Sequence, residues 1–439
     1  MEFIPLPKTH PALNNAVGPE AMAIGDSIFN GVRSLTINED LAHGAPPAQL
    51  ARAFDWPMRV PDYRREVLFQ LEDEIREGID LDRIRKHVID NAQRWLDERG
   101  NSSPHMFFDN ISIGGAAYAH LDGLTAGDAR AQIVPMLVRL RNAPSLDFAA
   151  LGELWFNLNA AFVLNPSGHP DLEDLTALEQ VASRKPKRLF VNIGSNEGLF
   201  RIGITANPSR KNRESIGQIP RLAEELARKL KKHCDAVQRI YFNDLIRPRA
   251  LANLAPRRDE EMFRHPKDGY FDEYIGRLGS LNRMSGEQMK AFDEEIAKVN
   301  KDVRKTMSGI LKDKIVFVDT YAMAGRIDGK HHGKERMVTV HAGPTPKRMS
   351  NMPLSANLFG FRQGGLFGLD NMHPTRVGYA LLAQEMAAVV ARAEAVAMPE
   401  IEPQLAFEAD GLLQDPPRNL DRLGLFTGFI AAVFFGGSV

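Results

Sequence analysis

Short apolar runs alternate along this chain with longer stretches of helical periodicity, a pattern that predicts a parallel sheet covered by helices. Five runs read as strands. The first, Ala21 to Ile24, is short and opens directly into Gly25-Asp26-Ser27. Met106 to Ile113 (MFFDNISI), Leu189 to Ile193 (LFVNI), Val237 to Phe242 (VQRIYF) and Ile315 to Asp319 (IVFVD) follow. Each is compact and carries β-branched or aromatic residues, as strands buried on both faces require. Helical patterns fill the intervals: Pro61 to Arg99 with a break near Gly78, Asp147 to Val163, Asp171 to Ala182, Ile219 to His233, and Glu287 to Leu311. Pro374 to Ala395 closes the series with a proline in its first turn. Gly-, Pro- and Arg-rich stretches at 42–60, 203–218, 246–284 and 325–369 read as loops or insertions. The tail from Met398 reads as lying outside the core.

Composition narrows the function classes. With 55 Lys and Arg against 56 Asp and Glu among 439 residues, the molecule as a whole is not steered towards nucleic acid. The single cysteine, Cys234, excludes internal disulfides and any CxxC or Cys/His zinc pattern, and is read as structural. No Walker-type loop and no glycine fingerprint after a strand supports nucleotide binding. The N-terminus lacks a basic segment followed by an apolar one, so a cytoplasmic location is expected. Leu423 to Phe435 (LGLFTGFIAAVFF) falls short of the roughly 20 residues of a spanning helix. It is read as a packed tail or as a peripheral membrane contact. Residues 184–258 hold 18 Lys and Arg against 6 Asp and Glu, which describes either solvated helix faces or a basic rim for anionic substrates. His331-His332 is read as an exposed loop, and Trp155-Phe156 as helix core or acyl-pocket lining.

Four segments carry candidate chemistry. AIGDSIFNG sets Ser27 at the turn between a strand and a helix. DNISIGGAAYAH ends a strand in Gly114-Gly115, where the backbone comes close to a bound group and offers an N–H. VNIGSNEGLF presents Asn196, whose carboxamide is a neutral donor. LDNMHPTRVGYALLAQ places Asp370 three residues before His373, a spacing that lets a carboxylate orient an imidazole on a turn. Each pattern alone is common in turns. All four stand at the ends of expected strands or just before a helix, the edge where open parallel sheets form sites.

In this combination the chain resembles the SGNH hydrolases, also called GDSL esterases and lipases. The matching elements are Gly25-Asp26-Ser27, Asn110 with Gly115 five residues on, Gly194 with Asn196, and Asp370-x-x-His373-Pro374. The resemblance implies a three-layer α/β/α sandwich with a flavodoxin-like five-stranded parallel sheet. It would span residues 15–397, with helical insertions at about 42–100 and 203–310, followed by the tail 398–439. It implies Ser27 as nucleophile, His373 as base oriented by Asp370, and an oxyanion hole of the Ser27 and Gly115 N–H groups with the Asn196 amide. No cofactor or metal is needed for that chemistry. Glu197 stands where the family usually has aspartate, and the gaps between blocks are long. The expected activity is hydrolysis of a lipid-like or acyl ester. Acyl transfer and thioester hydrolysis at the same site remain alternatives, as does an inactive module that binds glycan or protein.

Overall fold

The computed structural model describes residues 18–97, 103, 105–278, 282–357 and 360–417. The N-terminal stretch, the end of the Pro61–Arg99 pattern and the apolar run Leu423 to Phe435 lie outside the described residues. The chain is a mixed α/β protein around a parallel sheet of four strands: β1 (Ala21–Gly25), β2 (Arg188–Asn192), β3 (Arg239–Asn243) and β4 (Ile315–Val318), in that spatial order. β1 and Leu189 to Val191 are fully buried, which explains the near-continuous apolar runs.

The expected strand at Met106 to Ile113 does not form at strand length. This segment meets β1 at one parallel bridge, between Asn110 and Ala23. Ala23 N–H donates to Asp109 O, and the N–H groups of Ile111 and Ile113 donate to Ala23 O and Gly25 O, all at 2.9 Å. The other N–H groups serve loops: those of Asp109 and Asn110 go to Arg59 O, and that of Ser112 goes to Asn110 Oδ1. A side chain that captures backbone two residues on competes with the ladder.

Seven helices frame the site: α1 (Ser27–Asn30), α2 (Phe148–Leu164), α3 (Leu199–Thr205), α4 (Ile219–His233), α5 (Gly286–Leu311), α6 (Thr320–Arg326) and α7 (Arg376–Glu394). Side chains alternate across the sheet. Phe190 and Tyr241 stack on one face, where Tyr241 Oη donates to Glu394 of α7 at 2.6 Å. Phe242 and Phe317 meet on the other, beneath Arg304 of α5. The helical pattern before Arg99 resolves into Leu71–Glu77 and Leu81–Asp97, separated at Gly78 as its spacing predicts. The stretches read as loops hold more order than expected. Residues 46–53 and 210–217 are helical, 254–285 contain a small antiparallel sheet, and 338–349 and 355–363 contain hairpins.

Two further expectations are corrected. The tail from Met398 is part of the core up to Leu413: Phe407, Leu412 and Leu413 are buried, and Asp410 pairs with Arg33 at 2.9 Å. An acid-rich sequence hides this, because Asp410 acts as a buried counter-ion. His331 is likewise buried rather than exposed. Its Nδ1 lies 2.8 Å from Asp328 Oδ1 and its Nε2 2.8 Å from Tyr274 Oη, and burial pushes the imidazole down to about 4. Part of the basic excess over 184–258 is met by carboxylates outside that segment, while Arg210, Arg221 and Arg228 lie on exposed helix faces. Arg184 pairs with Asp109, Arg188 with Glu20 and Glu394, Arg213 with Glu295, and Arg247 with Asp293. Cys234 is buried, and burial pushes its thiol up to about 12, as suits a structural cysteine.

Candidate active site

β1 delivers Ser27. The strand ends at Gly25, where an added Cβ would lie 2.1 Å from Asn192 O at φ +151°, so only glycine permits this approach to β2. Asp26 N–H then donates to Asn192 O at 2.9 Å, and Asp26 Oδ1 caps α1 by accepting from Ile28 N–H at 3.1 Å. Behind α1, the side chain of Asn30 donates to Tyr63 Oη at 3.0 Å, while Asn159 accepts from Tyr63 and donates back to Asn30. A closed polar ring of this kind holds the first turn rigidly.

Ser27 Oγ lies 2.8 Å from His373 Nε2, and His373 Nδ1 lies 2.7 Å from Asp370 Oδ2. The three side chains belong to residues only 6%, 1% and 0% exposed, so their hydrogen bonds are little diluted by water. Asp370 accepts four bonds. Oδ2 takes His373 Nδ1 and Leu35 N–H (3.0 Å), and Oδ1 takes the N–H groups of Met372 (3.0 Å) and His373 (2.9 Å). Burial works to raise this carboxyl, but the charge of His373 and these bonds outweigh it and hold the group below the ordinary carboxylate range. An ionised Asp370 only accepts, which places the proton on Nδ1 and leaves Nε2 to accept from the Ser27 hydroxyl.

Several residues that hold this geometry carry no motif. Ser34 and Leu35 adopt left-handed backbone (φ +50° and +58°), which aims Leu35 N–H at Asp370, while Ser34 Oγ accepts from Leu369 N–H at 3.0 Å. Asn253, fully buried, donates its N–H to Asn371 O at 3.0 Å and its amide to Gly203 O and Ile204 O. The turn 370–373 is thus held from two sides. Leu35 and Asn253 reach the turn through backbone N–H groups, which any residue type supplies, so composition cannot reveal them.

The two remaining candidate donors lie on loops that are bonded to each other. Gly115 has φ +82° and faces Phe156 of α2, and Asn196 donates its amide to Ala116 O at 2.8 Å. Glu197 accepts from Tyr118 N–H at 3.0 Å, tying the same two loops. The longer acid at this position therefore spans a loop gap. Among the described residues no hydrogen bond joins Gly115 or Asn196 to Ser27 or His373, and the N–H groups of Ser27 and Gly115 find no acceptor. Phe156 sits over Gly115 and Trp155 over Gly114, so neither lines the cleft that opens at Ser27. That cleft is bordered instead by Phe200, whose ring centre lies 5.3 Å from that of His373, and by Ile28 and Met372. Among the described residues no group of three or more His, Cys, Asp or Glu side chains is placed to hold a metal, and no helix is long and apolar enough to cross a membrane.

Asp26 adds a pH dependence. Burial raises its carboxyl to about 6, against the pull of Ile28 N–H and Asn192, whose amide donates to Asp26 Oδ1 at 2.8 Å. Its Oδ2 is buried without a partner. The folded protein therefore binds this proton more tightly than the unfolded chain. The stability it contributes is full below about pH 4 and is lost as pH rises through about 6. Asp26→Asn removes that loss. Its melting temperature should match wild type at pH 4 and exceed it at pH 8, by the equivalent of about 3 kcal/mol at most. Equal melting of the two proteins at both pH values would refute this account.

No protein-family model, curated protein or solved structure matches the chain.

Proposed function

We propose that this protein is a serine hydrolase of the SGNH type, cleaving carboxylic esters through an acyl-enzyme on Ser27. The observation that carries this reading is the unbroken hydrogen-bonded series from Ser27 Oγ through His373 to Asp370, assembled from residues 346 apart in sequence. On this reading residues 109–113 take the fifth position of a flavodoxin-like sheet, beside β1.

His373 Nε2 takes the Ser27 proton as Oγ attacks the ester carbonyl carbon, and Asp370 stabilises the imidazolium through Nδ1–H. The oxyanion falls to the Ser27 and Gly115 N–H groups and to the Asn196 amide. Because one Asn196 N–H is tied to Ala116 O, the carboxamide is held in place and its second N–H stays available. Collapse of the tetrahedral species expels the alkoxide, which receives the proton from His373. Water then attacks the acyl-enzyme by the same route. Loss of one oxyanion donor typically slows such chemistry by about 10²–10³.

The test is covalent labelling of folded protein by a fluorophosphonate, with the modified residue located by peptide mass mapping and Ser27→Ala as control. Modification at Ser27 is expected. A folded protein that stays unlabelled, or is labelled elsewhere, overturns the proposal.

A further inference from the structure

The cleft that opens at Ser27 does not end there. It follows the C-terminal edge of the sheet, from Ser27 after β1, past Asn192 and Ser195 after β2 and Asp244 and Ile246 after β3, to Thr320 and Met323 after β4. The other wall comes from the turn that carries His373 and from α7, through Met372 and Leu382. Half-exposed side chains border it at Ile28, Ser195 and Phe200 near Ser27 and at Ile246 and Ile327 towards α6, while Leu251, Leu366 and Leu382 are buried along its depth.

Two properties define what fits. The lining is dominated by apolar side chains. The buried polar side chains that reach it are already engaged: Asn192 donates to Asp26 and accepts from Asn243, Thr320 donates to Asp244 O, and the Asp244 carboxylate is paired with Arg304. An apolar chain running past them leaves no new group unsatisfied, whereas a sugar or a charged tail would lose its water without finding free partners. We infer that this cleft binds the unbranched apolar chain of the ester, and that Met323 on α6 closes the far end and sets the chain's length. The inference rests on the hydrolase reading for the position of the ester carbonyl, but the cleft itself does not depend on turnover.

Length follows from the sheet. Three interstrand spacings separate β1 from β4, about 14 Å. An extended chain advances roughly 1.2 Å per bond; with about 3.5 Å of the span taken up by van der Waals contact with the end wall, about nine carbons fit between Ser27 and Met323. Each buried methylene should raise specificity about fourfold until the end is reached. The chain belongs to the acyl half or to the alkoxy half of the ester, and the same apolar lining serves either.

Two measurements decide. In the first, kcat/KM is measured for p-nitrophenyl esters from acetyl to tetradecanoyl, and for alkyl acetates from methyl to decyl. One series should climb to about eight to ten carbons and then fall, which also identifies the half that is bound. The second is displacement of a fluorescent fatty acid by fatty acids of four to fourteen carbons, which reads the cleft without catalysis. Met323→Trp should move both optima to shorter chains, and Met323→Ala to longer ones, with melting temperature checked for each variant. If the Trp variant does not fold, the Ala variant alone carries the comparison. Flat profiles in the ester series and in displacement, or optima that a folded Met323 variant leaves in place, overturn the inference. Length-dependent displacement without turnover would uphold the cleft and remove the hydrolase reading. Turnover without length dependence would do the reverse.

Discussion

If the protein hydrolyses esters as proposed, exchanging Asp370 for asparagine is expected to lower that activity at pH 7 by about 10⁴-fold, the loss seen when a triad carboxylate becomes an amide. The reason lies in the four N–H groups that converge on this side chain. A carboxylate accepts all four, whereas a carboxamide must aim its own two hydrogens at a pair of donors. If the NH₂ replaces Oδ2, it opposes Leu35 N–H and His373 Nδ1. The ring can respond by moving its proton to Nε2, which then faces Ser27 Oγ and can no longer accept from it. If the NH₂ replaces Oδ1, it opposes two backbone N–H groups that cannot move without breaking the turn. Either outcome also strands at least one buried donor, at a cost of about 1–3 kcal/mol. Steady-state kinetics and thermal melting read the two effects separately. An Asp370→Asn protein that keeps activity within tenfold of wild type would remove Asp370 from the role assigned to it.

Arg33→Ala is the second large effect, and it falls first on stability. Arg33 is 6% exposed and bonds both carboxylate oxygens of Glu72, at 2.8 and 2.9 Å, and Asp410 Oδ1 at 2.9 Å. Burial works against the guanidinium charge, but Glu72 and Asp410 more than compensate and raise its pKa. Removing the cation leaves two buried carboxylates facing one another. Such a break costs about 3–5 kcal/mol. A shift of the urea midpoint worth less than about 1 kcal/mol would show that the pair is solvated after all. Asp410→Asn should be non-additive with Arg33→Ala, since both act on one network. Activity should fall as well, because Ser34 and Leu35, next in sequence, support the turn of Asp370 and His373.

The sequence reading succeeded where one physical demand dominates. Strands buried on both faces must be apolar throughout, so LFVNI and IVFVD announce themselves within a residue of their ends. The structure also brings together Ser27, His373 and Asp370, which the four segments had singled out. The sequence reading failed where roles are shared. MFFDNISI has the pattern of a strand, but its Asn110 side chain bonds Phe29 O of α1 and Ser112 N–H, and its Asp109 side chain is taken by Arg59 and Arg184. The helix Ala126–Asn142 escaped notice because Pro135 interrupts a mostly exposed, weakly patterned surface. Asp410 and His331 look like surface residues until the arginine or tyrosine that buries them arrives from far along the chain. Leu35 and Asn253 leave no trace, since their contribution to the turn of the triad is a backbone N–H.

The 346-residue separation of Ser27 from His373 also has a meaning in time. A ribosome adding about 5–20 residues per second needs roughly 20–70 s between the two. Early in that interval β1 has no neighbour at all; residues 109–113 reach one of its edges first, and its ladder partner on the other edge begins only at Arg188. The apolar segment AMAIG and the turn bearing Ser27 must therefore wait on the nascent chain, open to chaperones and to other chains. Arg33 waits longer still, until Asp410 has been made. The order of synthesis thus keeps Ser27 without His373 until 346 further residues have been made, and a chain cut short before His373 would leave the ribosome without the hydrogen-bonded series that joins Ser27, His373 and Asp370.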